Sequence, residues 1–191
     1  GAENINLNLK GKMYGSNTQL QVDGNAEEFN LSYDSVSYIS SIRLQLQSLL
    51  DINFDAADFR FGESELLVNN LPLELSGNFS LPGDSMWFDL RFNSSVSELS
   101  HFLNLVPPDY AHYLKDLQAR GEASLNGSFK GIYFEEDYPA LDLLFRIEDG
   151  NMKYAGLPEE IRQIRGTMSV VKPQGDLNLT RVSISDVHAE I

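Results

Sequence analysis

The side chains best able to do chemistry are few and scattered. There are three histidines, His101, His112 and His188. None has a second histidine and a carboxylate at metal-ligand spacing, as a zinc site requires. Asp51, Asp55, Asp58, Glu63 and Glu65 form an acidic cluster without the D-x-[DN]-x-[DN]-G order of a calcium loop. Alternation places these carboxylates on a wet face, opposite Phe54, Phe59 and Phe61. Glu135-Glu136-Asp137 reads as a solvated loop. There is no cysteine, so disulfides, thiolate metal sites and cysteine nucleophiles are excluded. No G-x-S-x-G, glycine-rich phosphate loop or paired-carboxylate pattern occurs, and Ser124 and Ser128 have no histidine partner in sequence. The expectation is a non-enzymatic chain with no catalytic, metal or cofactor residues. Asn-x-Ser/Thr triplets at Asn30, Asn78, Asn93, Asn126 and Asn178 are expected by chance in a chain rich in Asn and Ser.

Whole-chain arithmetic narrows the partners. Fourteen basic residues face 28 acidic ones, a formal charge of −14 over 191 residues. Nucleic acid requires a basic footprint, and docking on an anionic lipid surface a polybasic patch; the charge balance argues against both. No run of about 18 apolar residues is present to cross a bilayer as a helix. The chain opens on Gly1-Ala2-Glu3-Asn4 and closes on Val187-His188-Ala189-Glu190-Ile191, which alternates like an unfinished strand. Both ends are expected to be cuts from a longer protein, with Gly1 a cloning remnant.

The elements are dominated by period-two alternation. Examples are Leu7 and Leu9, Leu20 and Val22, Ile42 to Leu46, Phe59 and Phe61, Leu71 to Leu75, Met86 to Phe92, Leu141 to Ile147, Met168 and Val170, and Leu177 and Leu179. Turn signals at Asp23-Gly24, Pro82-Gly83-Asp84, Glu148-Asp149-Gly150 and Pro173-Gln174-Gly175 divide them. Short connections imply antiparallel pairing. Helical spacing is expected at Leu99, Phe102, Leu103 and Val106, capped by Ser95 or Ser97. It is expected again at Tyr110, Tyr113, Leu114 and Leu117, closed by Gly121, so that a helical insertion falls near 96–118. A third short helix is expected from Leu157-Pro158 through Ile161 and Ile164. Leu7-x-Leu9-x-Gly11-x-Met13, Leu73-x-Leu75-x-Gly77-x-Phe79 and Leu125-x-Gly127-x-Phe129 echo one another. Two sources fit that echo, a sheet extended hairpin by hairpin or any antiparallel meander.

Apolar residues make up 42% of the chain. They could fill a closed sandwich, or line an open groove that holds acyl chains. Composition by itself favours the closed core.

From about Leu66 onward the chain resembles the AsmA-like proteins of the Gram-negative envelope, related to TamB and to bridge-like lipid transfer proteins. The resemblance is carried by Leu73-Glu74-Leu75-Ser76-Gly77-Asn78-Phe79, Trp87-Phe88-Asp89-Leu90-Arg91-Phe92, and Phe102-Leu103-Asn104-Leu105-Val106-Pro107 with Tyr110. It continues through Leu117-Gln118-Ala119-Arg120-Gly121, Leu125-Asn126-Gly127-Ser128-Phe129-Lys130-Gly131 and Pro139-Ala140-Leu141-Asp142-Leu143. It ends with Gly150-Asn151-Met152-Lys153-Tyr154, Leu157-Pro158 and Ile161. Residues 1–65 fit as leading hairpins. The resemblance implies a mainly β fold with two or three short helices, an extended twisted antiparallel sheet forming a groove or half-barrel. It implies a periplasmic segment of a protein anchored in the inner membrane, supporting outer-membrane assembly. Its ligand would be the acyl chains of phospholipids moving between membranes. It supplies no catalytic residue. Met86, Phe88, Leu90, Phe92, Leu125, Phe129, Leu143 and Phe145 are the expected lipid-facing set. The alternative is a structural or adhesive β-domain binding protein or glycan through its loops; an enzyme stands third. Open strand edges make an edge-to-edge dimer of the segment a further expectation.

Overall fold

A computed structural model describes residues 2–33, 36–103, 105–106 and 111–191. Eleven strands form one antiparallel sheet: β1 (Ala2–Glu3), β2 (Asn6–Tyr14), β3 (Asn17–Tyr33), β4 (Val36–Asn53), β5 (Asp58–Val68), β6 (Leu71–Ser80), β7 (Met86–Glu98), β8 (Leu117–Tyr133), β9 (Ala140–Tyr154), β10 (Ile161–Lys172) and β11 (Arg181–Glu190). Each strand from β2 to β11 pairs with the next in sequence. β1 shares the edge of β3 with β2. The result is a twisted, groove-like meander that does not close into a barrel.

Alternation acts over the whole sheet. One row crosses ten strands as Leu9, Val22, Ser48, Ser64, Leu75, Phe92, Gly127, Leu143, Val170 and Val182. The adjacent row, on the other face, is Asn8, Asp23, Gln47, Glu65, Glu74, Asn93, Asn126, Leu144, Ser169 and Ser183. A one-residue slip anywhere would exchange the two rows, so the pattern fixes the register.

Helix is scarce. α1 (Leu99–Leu103) is five residues long and crosses one end of the apolar face. It covers a cluster of Ile42, Val68, Leu71, Leu73, Leu99, Phe102, Ala119 and Ala123. Strand occupies 74% of the residues, and among the described residues no helical layer covers the rest of that face. The accessible surface is 12309 Å² for 21.4 kDa, where a compact monomer of this mass exposes about 9,100 Å². The closed core favoured by composition does not form.

Several local expectations differ from what is observed. Ser95 and Ser97 belong to β7 and cap nothing. Tyr110 lies outside the described residues, and 112–116 form turns leading into β8. Gly121 lies inside β8 at φ +108, where a Cβ would meet the Asp149 carbonyl. Ile161 and Ile164 open β10. A bulge at Gln163 (φ 52) inserts one residue between them, so strand residues three apart share a face and mimic helical spacing. Leu177–Leu179 is a 3-10 turn, with the Asp176 side chain accepting from the Asn178 N–H. Asp23-Gly24 and Glu148-Asp149-Gly150 lie within β3 and β9. Phe54 sits in the β4–β5 turn, half exposed.

Candidate functional site

The open apolar face is the candidate site. All eight expected residues fall on it. Met86, Phe88, Leu90 and Phe92 alternate along β7. Leu90 stands opposite Phe129, and Phe92 opposite Gly127, which in turn faces Leu143. Leu125 stands opposite Phe145. These last two pack against the cluster beneath α1, and the Phe145 ring meets Phe102 at 5.1 Å. They therefore anchor one border of the face, while the other six line its open part.

The same face holds more residues than the expected set. An aromatic band crosses four strands: Phe59 stacks on Phe79 at 4.5 Å, Phe79 meets Phe61 at 6.1 Å and Phe88 at 6.3 Å, and Phe88 meets Phe129 at 5.1 Å. Leu46, Leu50, Leu66 and Leu75 continue it in aliphatic form. Their alternation was visible in sequence, but which strand neighbours which was not. Gly127 gives Phe92 its place, since a Cβ there would lie 2.3 Å from the ring.

Polar groups on this face are satisfied locally. The Ser48 and Ser64 hydroxyls bond each other at 2.6 Å in the middle of the long row. Lys172 occupies an apolar-face position opposite Leu141 and is only 4% exposed. Its Nζ donates to the carbonyls of Tyr138 (3.0 Å), Pro173 (2.8 Å) and Gly175 (3.0 Å). Burial lowers the pKa of this ammonium, opposed by the nearby carboxylates of Asp137 and Asp176. At the other border Ser97 Oγ and His101 Nδ1 are 3.3 Å apart. On the polar face Lys130 Nζ donates to Asp89 Oδ2 at 2.7 Å, and this bond holds the Asp89 carboxyl below its ordinary range.

A cavity of about 870 Å³ lies beside α1 and has a mixed lining that includes His101, Lys115, Leu117 and Arg120. His112 is in a turn and His188 on β11, each on a different element from His101. Among the described residues, no cluster of three His, Asp or Glu could hold a metal ion. The acidic residues Asp51, Asp58 and Glu65 lie on the polar face, spread over two strands. Among the described residues, no helix is long and apolar enough to cross a membrane.

No family model, curated protein or solved structure matches the chain. The site is therefore read from its own geometry. That geometry offers a broad, mainly apolar surface, with no cluster of three His, Asp or Glu among the described residues.

Proposed function

We propose that this chain is a non-enzymatic segment of an AsmA-like envelope protein whose open apolar face binds phospholipid acyl chains for transfer between the inner and outer membranes. The observation that carries the reading is the mainly apolar row running over ten strands from Leu9 to Val182, interrupted by Ser48 and Ser64, with no second layer over most of it among the described residues. Each methylene leaving water gains about 0.8 kcal/mol, so a sixteen-carbon chain gains on the order of 12 kcal/mol before ordering costs. Rows run across the strands, so an acyl chain lying along them would pass from strand to strand over similar surface. Headgroups would remain outside, because a protein of charge −14 repels anionic ones. In the full-length protein, an anchor in the inner membrane would set the start of the path. A loop-binding adhesive domain would have a closed sandwich, and the open sheet favours the groove reading over it.

The test is extraction of the purified chain for lipid mass spectrometry, together with binding of a fluorescent phospholipid. Phospholipid is expected to co-purify, and Leu90→Asp with Leu143→Asp is expected to reduce it at least tenfold without loss of β circular dichroism. A chain free of lipid that also fails to bind the fluorescent probe would overturn the reading.

A further inference from the structure

β7 leaves the sheet at Glu98, opposite Glu122, where the chain turns into α1. β8 runs on past that point. Over residues 117–121 it pairs with β9 on one side and, among the described residues, with no strand on the other. The Ala155 N–H donates to the Asp116 carbonyl. That bond places the bonded pairs of this ladder on the even residues of β8 and turns the Ala119 N–H away from β9. The cavity of about 870 Å³ lies on that side of β8, against α1 and Asn70 of the β5–β6 turn, and Ala119 is part of its wall. Small-molecule sites span about 300–1,000 Å³. The described walls all come from the middle of the chain, so the opening owes nothing to the outer strands.

The cavity is basic in an acidic protein. His101, Lys115 and Arg120 line it, and its described lining holds no Asp or Glu. Four other cavities each include a carboxylate, at Asp51, Glu65, Asp84 and Asp142 respectively. Against a net charge of −14, the local sign here is reversed. Lys115 and Arg120 are both exposed, and among the described residues neither forms an ion pair. Ser97 Oγ meets His101 Nδ1 at 3.3 Å, which leaves Nε2 for a ligand. Leu103, Leu114 and Leu117 supply an apolar wall beside these cations.

We propose that this slot binds the phosphate group of an ester that carries an apolar tail. Arg120 offers a planar fork that can meet two phosphate oxygens at once, and Lys115 adds a point charge. The Ala119 N–H and His101 add further donors. The tail lies on Leu103, Leu114 and Leu117, whose surface leaves water on binding. A phospholipid headgroup and a soluble phosphate ester share this chemistry. In the first case the slot holds the head of a lipid at the α1 border of the apolar face, and the proposal then rests on the acyl-chain reading for the tail alone. The phosphate site itself stands without that reading.

Calorimetric titration of the 191-residue chain with four probes tests it: dihexanoyl phosphatidate, hexyl phosphate, inorganic phosphate and dihexanoylglycerol. Both esters are expected to bind more tightly than inorganic phosphate. Arg120→Gln combined with Lys115→Gln is expected to weaken both esters about tenfold or more while changing dihexanoylglycerol by less than about twofold. Phosphatidate binding about tenfold or more tighter than hexyl phosphate assigns the site to a lipid headgroup, and equal affinities assign it to a soluble ester. Dihexanoylglycerol has tails and no phosphate, so its failure to bind beside a bound ester would tell against the acyl-chain reading and support the phosphate site. Inorganic phosphate as tight as both esters, ester affinities indifferent to the double substitution, or no binding of either ester would overturn the proposal.

Discussion

Lys172 shows how a single charged residue is fitted to an apolar face. Its position opposite Leu141 points it toward the groove, yet its ammonium is turned into the carbonyls of Tyr138, Pro173 and Gly175. It thereby ties the β8–β9 loop to the β10–β11 loop, which are also joined by paired backbone bonds between Tyr138 and Gly175. In sequence it reads as one lysine ending a strand, because the loops that supply its acceptors lie more than thirty residues away on one side. Lys172→Met keeps the apolar stem and removes the donors. The Tyr138 and Gly175 carbonyls keep their backbone donors, so what is lost is the charge-assisted share of these part-buried bonds, about 1.5–3 kcal/mol. The expected result is a loss of that size in urea unfolding, with faster hydrogen exchange at the Tyr138 and Gly175 amides. Unchanged exchange there would mean that the backbone bridge holds the loops without the lysine.

At the scale of elements, the strands were legible and the helices mostly were not. Alternation at Met86 to Phe92 and Leu141 to Ile147 marks β7 and β9, because a half-buried sheet leaves a period of two. One helix misreading has a clear physical source. The bulge between Ile161 and Ile164 puts residues three apart on one face, the spacing that also marks a helix. Glycines misled in the same way: Gly24 and Gly150 sit inside long strands where close neighbours leave little room for a side chain. The candidate site was legible as a pattern of faces, and eight residues named from it do share one face. Its openness was not legible, since alternation is the same for a closed sandwich and an open sheet. α1 is the one helix whose spacing was read correctly in part, through Leu99 and Phe102. Five residues are too few to be stable alone, so the helix depends on burying those two side chains. Leu99 is 1% exposed, and Leu99→Ala is expected to cost about 2–5 kcal/mol by chemical denaturation. It should also loosen Leu125 and Phe145 below, read as faster exchange at the start of β8. A cost under 1 kcal/mol would mean that α1 only rests on the sheet.

The whole molecule behaves as a one-dimensional stack. Each strand from β2 to β11 packs against its sequence neighbours, and α1 adds contacts to β7 and β8. Stability in such an array is a sum of local and nearest-neighbour contributions, so opening can proceed strand by strand from an edge. The buried cluster lies under α1, drawing on β4, β5, β6 and β8, while β11 buries no residue. Protection should therefore form a gradient, and a single cooperative value for every amide would contradict the architecture. Hydrogen exchange on the dilute chain is expected to be slowest in β5 to β8 near α1 and fastest in β11, with β2 intermediate because it is closed onto β3 by a tight hairpin. Adding phospholipid should slow exchange in the central strands, since the apolar face they carry would be covered. Uniform protection across the sheet at low concentration would show that the strands are coupled beyond their neighbours, which an open meander does not provide.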